Sequence, residues 1–110
     1  MMRKGDKLQI PKRFKLCGQT IEVVYDELLI HKNDNRGEAV YRDNTIKLMP
    51  AIPGNPTPQT AIEEAFCHEM THFLLHTAGY PDEASDEAMV FRLGHLLHQA
   101  LTTMEYEEMA

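Results

Sequence analysis

Residues Pro50 to Gln59 carry four prolines and a glycine. Neither a helix nor a sheet ladder continues through such a run, because each proline fixes φ and removes a backbone donor. The run divides the chain into halves with different periodicities. Before it, apolar residues alternate: Phe14 and Leu16, then Ile21, Val23 and Tyr25, with Gly18-Gln19 as a turn, which reads as a β-hairpin. Ala39-Val40-Tyr41 and Thr45 to Met49 flank Arg42-Asp43-Asn44 and read as a second hairpin. Between the hairpins, Asp26 to Arg36 ends in a polar turn cluster with little intrinsic order. After the run, apolar spacing switches to threes and fours. The expected fold class is α+β. An antiparallel sheet of about four strands covers 12–49, a crossover 50–59, and two helices on one sheet face 60–78 and 82–106, behind a loosely held lead-in over 1–11.

Helix signals sharpen the second half. Thr60-Ala61-Ile62-Glu63 has capping-box spacing, which predicts Thr60 as N-cap with Glu63 reaching back to it. Gly79, followed by Tyr80-Pro81, predicts the stop. The next helix has Asp82 or Ser85 as its expected N-cap, and Val90, Leu93, Leu97, Ala100, Leu101 and Met104 as its apolar stripe.

Between those helix signals lies Phe66-Cys67-His68-Glu69-Met70-Thr71-His72, which contains His-Glu-x-x-His. Residues four apart on a helix stand one above the other, so His68 and His72 can offer imidazole nitrogens to one metal ion, and zinc suits that pair. Glu69 projects beside such an ion, where its carboxylate can take a proton from metal-activated water. Histidines on an ordinary amphipathic helix are the plainer explanation. Against it, at about 100° per residue Ile62, Phe66, Met70, Phe73 and Leu74 fall on one arc, whereas Ala65, His68, Glu69, His72 and His76 fall largely on the neighbouring one.

One hundred and ten residues make one small domain, too short to carry a separate specificity domain. Any substrate must therefore be gripped by the same fold that would hold the metal. Hydrophobic content of 43% and charged content of 25% sit near globular averages and disfavour disorder and coiled coil. A formal net charge of −6 argues against nucleic-acid binding, which needs clustered positive charge, and the basic residues between Arg3 and Lys15 read as a solvated face. With no apolar run near 18 residues and no signal-peptide h-region, no membrane association is expected and the expected compartment is the cytoplasm. Cys17 and Cys67 match neither a metal-pair spacing nor a cytosolic disulfide, and Cys67 reads as a small buried hydrophobe.

His68-Glu69-Met70-Thr71-His72, the acidic Asp82 to Glu87 and the helix ending His95 to Leu101 resemble the small zincin metallopeptidases. More narrowly, they resemble minimal gluzincins of the phage-encoded ImmA/IrrE-like and SprT-like kind. The resemblance implies a zinc-dependent peptidase with Glu69 as general base, acting on a protein or peptide substrate paired with a sheet-edge strand, for which Thr45 to Met49 is the candidate. It also implies a carboxylate third ligand from the second helix, with Glu87 the best match and Glu83 next. His76 fits that role poorly, since on a continuous helix it stands about 12 Å from His68 along the axis, with no glycine between to turn the chain. Phe91 departs from the family, where an acidic residue commonly orients a histidine ligand. Tyr80, His95 and His98 are polar groups near enough in sequence to be considered for an oxyanion, and none is assigned. Two other readings are a metal-stabilised binding module without turnover, to which Glu69 would be superfluous, and a metal-free interaction protein.

Overall fold

The computed structural model describes residues 8–32 and 36–108. Strand β1 (Arg13–Leu16) turns into β2 (Gln19–Tyr25), and β3 (Gly37–Val40) turns into β4 (Thr45–Leu48). Helices α1 (Gln59–Thr77), α2 (Pro81–Ala84) and α3 (Glu87–Thr103) follow. The architecture is α+β, as the alternating and helical halves of the sequence predict.

Both hairpins form. Cys17 and Gly18 take φ of 49° and 77°, the two left-handed positions of a tight hairpin turn. The second hairpin turns through a 3-10 segment at Tyr41–Asp43 and Asn44 in the left-handed region. The expected antiparallel pairing holds within each hairpin but not between them. The strand order is β1-β2-β4-β3, and β2 pairs with β4 in parallel, Val23 opposite Ile46 and Tyr25 opposite Leu48, so the sheet is mixed. Thr45 to Met49 is correspondingly not an edge strand but lies between β2 and β3. Burial explains the placement: Ile46 and Leu48 are wholly buried, whereas every residue of β3 is only half-buried. The more apolar strand takes the interior and leaves β3 at the margin.

The link between the hairpins is more ordered than its polar end suggests. Asp26 accepts a hydrogen bond from the Leu28 amide and caps a 3-10 turn at Glu27–His31 that buries Leu29 completely. Asn33 to Asn35, in the polar cluster, lie outside the described residues, as do 1–7 of the lead-in. Leu8 and Ile10 do not hang loose, because both pack against the core.

Phe66 and Phe73 of α1 press onto Ile21, Val23, Ile46 and Leu48 of the sheet. Burying each such side chain contributes about 1.5–3 kcal/mol. Cys67 is fully buried among them, and burial pushes its thiol up to about 12, so it is inert packing. Leu74, expected on the same arc, is instead 40% exposed beyond the sheet's reach. The α1 bounds fall within one residue of expectation, and only the N-terminal device differs. At the C-terminus Gly79 (φ 93°) ends the helix, with the Tyr80 amide bonded to the Leu75 carbonyl and the Gly79 amide to that of His76. At the N-terminus the helix starts at Gln59 with Pro58 in the cap position and no side-chain cap. The expected capping box is absent because Glu63 has a stronger partner. It is buried between α1 and α3, 2.9 Å from His98 Nε2.

The expected single helix over 82–106 is broken at Ser85-Asp86 into α2 and α3. Asp86, rather than Asp82 or Ser85, caps α3 through the Met89 amide. Its buried line runs through Val90, Gly94, Leu97 and Leu101, while Leu93, Ala100 and Met104 of the expected stripe face outward. Gly94 sets the helix separation, since a Cβ there would lie 3.0 Å from the His68 Cα and 3.2 Å from its backbone nitrogen. Gly94→Ala gains about 1 kcal/mol of helix propensity, but the clash is with backbone and forces α3 outward. The expected net result is a destabilised protein. A Tm equal to wild type would show that the helices accommodate the methyl group.

Candidate metal centre

His68 and His72 project from the same face of α1, and Glu87 meets them from the first turn of α3. Glu87 Oε2 lies 3.4 Å from His68 Nε2, and Glu87 Oε1 lies 3.0 Å from His72 Nε2. One ligand atom from each residue falls within 4.8 Å of the others, and among the described residues no other group of three His, Cys, Asp or Glu converges this way. Bonds of about 2 Å at tetrahedral angles put zinc ligand atoms roughly 3.3 Å apart, so the donors are spaced to hold such an ion. The donor set, two imidazoles and a carboxylate, matches zinc chemistry and leaves one coordination position free.

Local structure orients these donors. The Ala84 carbonyl at the end of α2 accepts from His72 Nδ1 at 2.7 Å, which fixes the proton there and turns the Nε2 lone pair toward the cluster. That carbonyl does what an acidic residue at position 91 was expected to do, and Phe91 points elsewhere. Burial, reinforced by the neighbouring His72, lowers the His68 pKa against the opposing pull of Glu87, and so favours the neutral imidazole that a metal needs.

Glu69 is 6% exposed and does not belong to the ligand cluster. Burial, then the charges of Glu87 and Glu38, push its carboxyl up to about 8. Its side chain lies against the backbone of edge strand β3: a Cβ on Gly37 would stand 2.9 Å from both its Cγ and Oε2. Gly37 therefore makes room for the carboxylate at the floor of a cavity of about 430 Å³ bounded by β3, α1 and the α2–α3 corner.

Of the remaining sequence candidates, His76 is outside the cluster and stacks flat on Tyr41, ring centroids 4.0 Å apart. The helix runs unbroken to Thr77, as the argument against a third histidine ligand requires. Glu83 is also outside the cluster. Tyr80 is exposed and lines neither cavity, His98 is committed to Glu63, and His95 pairs with Glu64 at 3.1 Å. The phenol that does line the metal cavity is Tyr41, delivered by the β3–β4 turn. Burial and the nearby Glu69 and Glu87 charges raise its pKa. Nothing in the local sequence marks it, because its neighbours there come from a helix some thirty residues on. Gly37, beside the polar turn cluster, and Gly94, inside a helical pattern, carry no local sequence signal that singles them out. Among the described residues, no helix is long and apolar enough to cross a membrane. No family model matches this chain, nor does any curated protein or solved structure.

Proposed function

We propose that the protein is a zinc-dependent peptidase that hydrolyses peptide bonds of a protein substrate, with His68, His72 and Glu87 as ligands and Glu69 as general base. The observation that carries this reading is the company Glu69 keeps. A carboxylate buried beside three converging donors, without being one of them, stabilises nothing in a purely structural site. Zinc, when bound, supplies the Lewis acidity that makes water nucleophilic at neutral pH and polarises a carbonyl. Glu69, with its carboxyl raised into the neutral range, is suited to take a proton from water and return it to the departing amine. A peptide laid along the free edge of β3 would pair with its backbone and bring a carbonyl above Glu69, next to Gly37. This use of β3 replaces the one expected of Thr45 to Met49.

Protein purified without a metal-affinity tag is expected to carry one zinc per chain by elemental analysis. His68→Ala and His72→Ala should lose the metal and melt at lower temperature, because a site formed only in the folded state couples binding to folding. Full occupancy in both variants would remove the reading. Chelator-sensitive cleavage of a mixed peptide library tests turnover, and zinc without cleavage would leave a metal-stabilised binding module.

A further inference from the structure

A second cavity, of about 360 Å³, shares Gly37, His68 and Glu69 with the first and runs away from the metal donors along the groove between α1 and α3. Its floor is Ala61 and Ala65, one turn apart on α1, and its wall is Phe91 and His95, one turn apart on α3. Two small residues facing two large ones leave a slot. The Phe91 ring is 57% exposed, an uncommon setting for a large aromatic side chain with no partner of its own in the core.

The slot is built rather than incidental. Glu64 Oε2 lies 3.1 Å from His95 Nδ1, and the His95 ring meets Phe91 edge to face with centroids 4.5 Å apart. The carboxylate holds the imidazole, and the imidazole holds the phenyl ring upright beside the groove. Because Glu64 and His95 satisfy each other, the alanine methyl groups and the phenyl face form the apolar part of the surface offered to a ligand, with Arg36 at the Gly37 end as a charged border.

We infer that this groove is the subsite for one bulky apolar side chain of the substrate, aromatic by preference, flanking the bond that the metal centre cleaves, with Phe91 as its specificity-determining residue. The inference rests on the peptidase reading, and continuity with the metal site through His68 and Glu69 is what puts the side chain there. The volume is ample for one large side chain, since pockets of this order accept small-molecule ligands. Phe91 thereby acquires a role in binding substrate in place of the histidine-orienting role that an acidic residue would have had.

The test uses zinc-loaded full-length protein and two hydroxamates that share a metal-anchoring group. Acetohydroxamic acid carries only a methyl group, whereas 3-phenylpropanohydroxamic acid adds a phenyl group on a short arm. Calorimetric titration is expected to give at least tenfold tighter binding of the phenyl compound. Phe91→Ala should cut that preference to about twofold, with zinc affinity unchanged. Ala61→Leu, which fills the slot while keeping a good helix former, should do the same. Equal binding of the two compounds by wild type, or a preference undiminished in both variants, overturns the subsite and leaves the metal centre standing. Failure of the protein to take up zinc at all overturns the peptidase reading itself, which distinguishes the two failures.

Discussion

Glu69→Gln is expected to leave the fold and zinc binding intact while lowering peptide hydrolysis by about two to four orders of magnitude, the usual contribution of a positioned general base. The same substitution should stabilise the metal-free protein. The Glu69 carboxyl is raised from 4.5 to about 8 in the folded chain. Below about pH 4.5 it is protonated in both folded and unfolded states and contributes nothing. As pH rises, the unfolded chain ionises first, so folded stability falls steadily until the folded carboxyl also ionises near 8. At about 1.4 kcal/mol per unit, the loss at neutral pH is on the order of 3 kcal/mol. Glutamine cannot ionise and abolishes the slope. Denaturant midpoints measured with chelator between pH 5 and 8 should therefore decline more steeply for wild type than for the variant. His68, whose pKa is lowered, acts in both proteins and cancels in the difference. Parallel profiles would mean that Glu69 carries no burial penalty and is not poised as a base.

The second large effect concerns the third ligand. Glu87→Ala should weaken zinc binding by about a hundredfold or more, because losing even a partner outside the ligand set costs 10–100-fold. Glu87 is well exposed at the start of α3, with Asp86 doing the capping, so the fold should tolerate the change. His76→Ala and Glu83→Ala should stay within a few-fold of wild type, since neither residue joins the cluster. A zinc-competition titration that ranked His76 above Glu87 would require α1 to unwind before its last turn and would make this a three-histidine site.

The elements with local causes were legible in the sequence. His68 and His72 are one turn apart whatever the rest of the chain does, Gly79 needs only its own left-handed freedom to stop α1, and Arg42-Asp43-Asn44 bends β3 back on β4 unaided. What was not legible depended on distant partners. Glu63 reads as a capping residue until His98, 35 positions later, is brought against it. β4 lies beside β2 and not at the sheet margin because Ile46 and Leu48 are the more apolar candidates for the interior, a contest that a hairpin pattern cannot express. Glu87 was singled out through family likeness rather than spacing, since three other acidic residues, Asp82, Glu83 and Asp86, precede it, and only the break at Ser85-Asp86 decides which one faces α1.

That break has a further consequence. Within four residues, the chain supplies both the Ala84 carbonyl that holds His72 and the carboxylate of Glu87. An ion seated there would act as a cross-link, closing the segment from His72 to Glu87 into a short loop and clamping the corner to α1. The sheet and the Phe66–Phe73 side of α1 are held by apolar burial and keep their order regardless of supply. With the proposed zinc in place, order in the protein would have two sources, oil for the body and metal for the corner. Scarcity of zinc would then loosen the proposed catalytic corner first, while the rest waits, folded, to be reloaded.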